Sequence, residues 1–183
     1  MIILIAGGTH TGKTVLAQKL LEHLNYPYLS IDHLKMGLIR SGLTELTPES
    51  DENKLTAYIW PIVREIIKTN IENGQNLIAE GCYIPFDFAK DFSSEYLSAI
   101  RYVCLVFSRT YLAERLDEVL EHKNAIEKRC YESGLTIEAM IKTNEHNLNM
   151  CKIFGLEYIL FEDEKYDAER CAELVANQVL SRS

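Results

Sequence analysis

The sequence predicts a layered α/β domain: a parallel sheet with helices on both faces. Three observations lead there. Ile2, Ile3, Leu4 and Ile5 form a short β-branched apolar run, as expected of a strand buried on both faces. A glycine-rich stretch follows at once, and then the amphipathic stripe Leu16, Leu20, Leu21 and Leu24. Further along, apolar runs of strand length alternate with stripes of helical period, the pattern of successive β–α units. The chain has 183 residues, 47% hydrophobic and 25% charged, which suits one globular domain with a full-sized core.

The first turn carries the most specific signal. Gly7-Gly8-Thr9-His10-Thr11-Gly12-Lys13-Thr14 fits the phosphate-loop pattern of Gly, four free positions, then Gly-Lys-Thr. Glycines let the backbone turn tightly, so that successive N–H groups point into one concavity. The helix that follows adds the positive end of its dipole. Lys13 is expected to bring a charge to the β- and γ-phosphates of a nucleotide, and Thr14 to offer its hydroxyl to Mg²⁺. His10 sits at a free position and reads as a spacer.

Tyr26 to Ile31 reads as the second strand, ending at Asp32, which opens the segment to Arg40. In open parallel sheets the ligand crevice lies beyond the carboxyl ends of the strands, which puts Asp32 beside the loop. Asp32 reads two ways: it orients or deprotonates an acceptor hydroxyl, or it caps the next helix. Lys35 and Arg40 are candidates to hold an anionic substrate group, and a solvated helix face accounts for them as well. Residues 41–51 are polar and read as a mobile loop on the substrate side. Leu55, Ile59, Ile62, Val63, Ile66 and Ile67 mark a helix that Asn73-Gly74 stops, with Pro61 predicting a kink or break near Trp60. Arg64 on this helix is a candidate substrate clamp.

Asn76 to Gly81 is the third strand and its exit. Glu80, at the strand tip beside the loop, is the candidate to hold Mg²⁺ through its waters or to act as catalytic base; an ion-paired acidic residue at a strand exit is the plainer account. Gly81 to Pro85 forms a loop over the crevice, and Phe86 to Leu97 one or two short helices. Arg101 to Phe107 is the fourth strand. Ser108 then caps a charged segment, Arg109 to Glu132, which is either a solvated helix or a lid bringing Arg115 and Arg129 to a transferring phosphoryl group. Thr136 caps a helix running to about Phe154, ended by Gly155. Leu156 to Phe161 is the fifth strand, and Tyr166 to Leu180 the last helix.

Composition excludes several classes. A net charge of −8 argues against a general nucleic-acid surface. The longest apolar stretch falls far below the ~18 residues of a membrane span. The sequence opens directly on the first strand without a basic leader, and its five cysteines are scattered without Cys-x-x-Cys spacing, so reduced thiols and a cytoplasmic protein are expected.

The loop, Asp32 after the second strand and the arginine-bearing segment after the fourth make a pattern that resembles the small phosphate-loop kinases of the nucleoside-monophosphate-kinase fold. These include adenylate, shikimate and gluconate kinases, chloramphenicol phosphotransferase-like enzymes and zeta-toxin-like kinases. The resemblance covers nearly the whole chain in architecture, and Gly7 to Thr14 is its one specific motif. It implies a single domain over residues 1–183, a five-stranded sheet in the order 2-3-1-4-5, a substrate region over 32–75 and a helical lid over 108–134. It also implies ATP and Mg²⁺, with Lys13 and Thr14 in their usual roles and Asp32 at the acidic position of hydroxyl-phosphorylating members. The sequence lacks the Asp-Gly-Phe-Pro-Arg segment of adenylate kinases, and Arg40 and Arg64 are the only arginines in its early substrate region. The expected activity is therefore transfer to a hydroxyl of a small molecule, by a monomer or homodimer. A nucleoside monophosphate kinase, a toxin-like kinase and a nucleotide-binding regulatory protein without turnover are the alternatives.

Overall fold

Strand β1 spans Ile2–Gly7, and Ile2, Ile3, Leu4 and Ile5 have no solvent exposure. The run is apolar throughout because both its faces are covered. Ile2, Leu4 and Ala6 pack into one cluster with Ile59, Val63 and Ile67, while Ile3 and Ile5 pack into another with Leu16, Leu20 and Val175. This period of two along one strand divides the core into two layers, one on each side of the sheet. The computed structural model of the chain describes residues 1–121 and 136–181.

The other strands are β2 (Tyr28–Ser30), β3 (Leu77–Glu80), β4 (Ile100–Phe107) and β5 (Tyr158–Phe161), and the five-stranded sheet runs in the order β2-β3-β1-β4-β5. Every pairing is parallel. Ser30 stands opposite Glu80, and Glu80 opposite Ile5, so β1, β2 and β3 finish at one level. On the other side Gly7 stands opposite Leu105, and Phe107 opposite Phe161.

The helices are α1 (Lys13–Leu24), α2 (Ile31–Arg40), α3 (Glu52–Glu72), α4 (Ser94–Ser98), α5 (Arg109–Glu121), α6 (Ile137–Phe154) and α7 (Ala168–Leu180), with a 3₁₀ turn at Phe88–Asp91. Helices α1, α5 and α7 cover one face, α2 and α3 the other, and α6 reaches both clusters through Ile141 and Cys151. The expected caps hold at α6: the Thr136 hydroxyl accepts from Ala139 N, and Gly155 ends the helix at φ 62°. No helix among the described residues is long and apolar enough to cross a membrane.

Two local expectations are corrected. Strand β2 is shorter than Tyr26 to Ile31. Ser30 occupies the cap position and Ile31 is already helical, so Asp32 belongs to the first turn of α2 and is not its cap. Helix α3 also runs unbroken through Pro61. Pro61 removes the hydrogen bond to the Ala57 carbonyl. Both residues lie on the exposed face, so water can satisfy that carbonyl, while buried Ile59, Trp60 and Val63 hold the turns on either side. Trp60 is fixed further by its indole N–H, which donates to Asp91 Oδ2 at 2.7 Å. Pro61→Ala therefore restores a helical hydrogen bond at a site that needs no proline. We expect it to raise stability by about 1–2 kcal/mol, less than the ~3 kcal/mol interior penalty because proline also restricts the unfolded chain. A urea midpoint that rises at constant slope checks this.

Candidate active site

The turn between β1 and α1 crosses the carboxyl edge of the sheet. Gly12 has φ 85°, and a Cβ there would lie 2.6 Å from Cζ of Tyr166. The position thus needs glycine twice over, for its left-handed backbone and for the ring pressed on it. Tyr166 donates its hydroxyl to Gly12 O at 2.9 Å, and its own N–H donates to the Tyr111 hydroxyl at 3.0 Å. Burial pushes the Tyr166 phenol far above its ordinary pKa, so it stays a donor. His10, the expected spacer, adopts φ 64°.

Inside the loop, Gly8 O accepts from Thr11 Oγ1 at 2.9 Å and from Lys13 Nζ at 2.7 Å. Lys13 is only 4% exposed, so its ammonium lies under the turn and not in open solvent. With its amide oriented to suit both neighbours, Asn147 of α6 accepts from Gly8 N at 3.1 Å and donates to Thr143 O at 3.3 Å. One turn earlier, Asn144 accepts from Phe107 N at 2.8 Å and donates to Met140 O at 2.9 Å. These asparagines tie α6 to the loop and to the last amide of β4.

On the β2–β3 side the loop faces acidic groups. Thr14 Oγ1 donates to Glu80 Oε1 at 3.4 Å, and Glu80 is 1% exposed. Beyond Glu80 the chain turns at Gly81, where a Cβ would lie 2.8 Å from Cβ of Ile31; only glycine lets β3 exit so close to α2. The Cys82 thiol then donates to Gly7 O at 3.5 Å. Asp32 Oδ1 accepts from Lys35 Nζ at 2.8 Å, and the same ammonium donates to the Tyr83 hydroxyl at 2.9 Å. Burial works against the charge on Lys35, but the attraction and hydrogen bond of Asp32, with the bond to Tyr83, outweigh it and hold the lysine above its ordinary pKa.

On the β5 side, α5 leaves helical geometry at Arg115, with φ −126° and ψ 21°. Its guanidinium lies 5.7 Å from the Tyr111 ring centroid, donates to Asp163 O at 3.4 Å and approaches Glu118 at 3.7 Å. Lys165 pairs with Glu118 at 2.9 Å, so two contacts pin the loop after β5 to α5.

The structure brings Thr14 of the turn to Glu80, and joins Asp32, Lys35 and Tyr83 at the neighbouring strand exits. Arg115 stands against the loop after β5. Arg40 is exposed at the last turn of α2. Arg64 is turned to Glu65 Oε1 at 2.7 Å and Asp91 Oδ1 at 3.8 Å, both outside this group. Arg129 and the lid beyond residue 121 lie outside the described residues. Sequence reasoning missed Tyr83, Asn144, Asn147 and Tyr166. The two asparagines left a trace, as polar residues three apart beside the apolar stripe of α6. Tyr166, assigned to the last helix, stands in the loop before it. Thr14 and Glu80 offer a hydroxyl and a carboxylate, hard oxygen donors of the kind Mg²⁺ takes while keeping several waters.

No protein-family model matches the chain, and no curated protein matches it in sequence. Solved structures do match its fold. A shikimate kinase from Acinetobacter baumannii in complex with shikimate aligns over 100% of this chain and 94% of its own, with TM-score 0.62 and 15% identity. The Deinococcus radiodurans tunicamycin resistance protein aligns over 97% and 94%, with TM-score 0.59 and 17% identity. A deoxyadenosine kinase from M. mycoides aligns over 99% and 100%, with TM-score 0.57 and 14% identity. The chain has the fold of the small phosphate-loop kinases. For Asn144→Ala, which strands the buried Phe107 N–H without a partner, we expect a loss of about 1–3 kcal/mol. Chemical denaturation measures it.

Proposed function

We propose that the chain is an ATP- and Mg²⁺-dependent phosphotransferase acting on a hydroxyl of a small molecule. The observation that carries this reading is the position of Thr14 between the loop and Glu80, at 3.4 Å from the carboxylate, with Asp32 at the exit of the next strand. A phosphate-binding turn alone fits any nucleotide-binding protein. Two carboxylates on its β2–β3 side add what a transfer to a hydroxyl requires.

Each residue then has a task set by its chemistry. The loop amides and the start of α1 cradle the nucleotide phosphates. The Lys13 ammonium, bonded to Gly8 O at 2.7 Å, exchanges that carbonyl for β- and γ-phosphate oxygens. Thr14 and Glu80 are the groups suited to hold Mg²⁺, Thr14 directly and Glu80 through water. The ion, when bound, neutralises phosphate charge and orients the γ-phosphoryl group. Asp32 receives the acceptor hydroxyl and accepts its proton. The hydroxyl oxygen bonds to the γ-phosphorus as the bond to the β,γ-bridging oxygen breaks, leaving ADP and a phosphate ester. Such transfers ask for positioning and charge stabilisation more than for covalent chemistry by the protein.

Arg115 lines the nucleotide end of the crevice in this reading, since its contacts are with Tyr111 and the loop after β5. Arg129, within the lid segment 108–134, keeps the task of neutralising the transferring group. Isothermal calorimetry with Mg·ATP tests the proposal, with saturation expected below millimolar nucleotide. Lys13→Ala weakens binding by one to two orders of magnitude, as the loss of a charged hydrogen bond worth about 1.5–3 kcal/mol implies. Asp32→Asn leaves binding nearly unchanged and lowers turnover by about 10²–10⁴. Absence of saturation by Mg·ATP at millimolar levels overturns the reading.

A further inference from the structure

Strand β4 and helix α6 bring two cysteines together in the core. Asn144 accepts from Phe107 N at 2.8 Å, which fixes α6 over the end of β4. Cys151 follows on the same face of α6, about 10.5 Å along at the helical rise. Cys104 lies back along β4 from Phe107 by about 10 Å at the rise of a parallel strand. The two offsets agree, and both side chains enter one cluster with Tyr102 and Val106. The backbones are tied as well. Leu156 N donates to Cys151 O at 2.9 Å, and Cys104 N donates to the adjacent Glu157 O at 3.0 Å.

Both cysteines are free thiols with no solvent exposure. Their side chains share a hydrogen bond. That bond and burial push Cys104 above the ordinary thiol range, against the nearby charge of Lys13. The same bond outweighs burial at Cys151 and holds it below that range, toward the nucleophilic thiolate. Burial beside the two thiols keeps the Tyr102 phenol neutral. Cys151 stands in the last turn of α6, where Ile153 and Phe154 are exposed. Helix ends open at low free energy, which gives a small oxidant a way in.

We infer that Cys104 and Cys151 are a redox pair, which a peroxide joins in a disulfide that draws α6 onto β4 and loosens the phosphate-binding turn. The Cys151 sulfur attacks one oxygen of hydrogen peroxide; the O–O bond breaks, giving a sulfenic acid and water. The Cys104 sulfur then attacks the Cys151 sulfur and expels hydroxide, which takes the Cys104 proton and leaves as water. Two thiols lose two electrons and two protons, and one peroxide becomes two waters. Joined sulfurs stand about 2.05 Å apart, well inside thiol contact, so Cys151 must advance on the strand. Asn147, one turn earlier on the same face, moves with it, and its bond to Gly8 N at 3.1 Å is the one that gives.

The effect on nucleotide rests on the phosphotransferase reading above; the disulfide does not. The full chain is treated with hydrogen peroxide, its remaining thiols are blocked, and its peptides are mapped by mass without reduction. One intramolecular bond between Cys104 and Cys151 is expected, reversed by dithiothreitol and absent from Cys104→Ala and Cys151→Ala. Calorimetry of the oxidised chain with Mg·ATP should give a Kd about threefold to tenfold weaker, the range expected for one hydrogen bond, and dithiothreitol should restore it. Two thiols that survive the peroxide unjoined, or a bond to another cysteine instead, overturn the inference. So does an oxidised chain that binds Mg·ATP as the reduced chain does. A reduced chain that binds no Mg·ATP removes instead the reading beneath it, and the mass map still decides the disulfide.

Discussion

The structure depends on holding one tight turn in a shape the backbone does not choose for itself. Between β1 and α1 the chain passes through left-handed geometry at His10 and Gly12, and its amides must converge. Three distant elements fix it. Tyr166 presses its ring on Gly12 and bonds its carbonyl, Asn147 accepts from the Gly8 amide, and Cys82 donates to Gly7 O. A loop made of small residues has little packing of its own, so these contacts supply the rigidity that a preorganised anion site needs.

The remaining parts are distributed around that turn by sheet order. Because β3 lies on one side of β1 and β4 on the other, the turn has two unlike flanks. The β2–β3 side holds two carboxylates and an engaged lysine. The β5 side holds Arg115, Tyr111 and the pinned loop after β5. In the phosphotransfer proposed above, donor and acceptor thus meet different chemistry on either side of Lys13.

Much of this was legible in the sequence, for physical reasons. Ile2 to Ile5 mark a strand covered on both faces, and Gly7 to Thr14 a tight turn between that strand and a helix, as found. The sheet order entered by resemblance and holds. What was not legible came from tertiary contact. Pro61 argued for an interruption in α3, but its face is solvated and packing on the opposite face carries the helix through. Arg64 looked available as a clamp, and only the fold reveals Asp91 beside it. Tyr83 and Tyr166 are ordinary loop residues until the chain closes on itself, and no local pattern distinguishes them.

The contact of Tyr166 with Gly12 spans 154 positions. On the ribosome, at about 5–20 residues per second, roughly 8–30 s separate the synthesis of its two ends. The motif is synthesised first, and the side chain that seats it follows 154 positions later. Nascent chains therefore carry the glycine-rich turn well before the contact that presses on Gly12 can form.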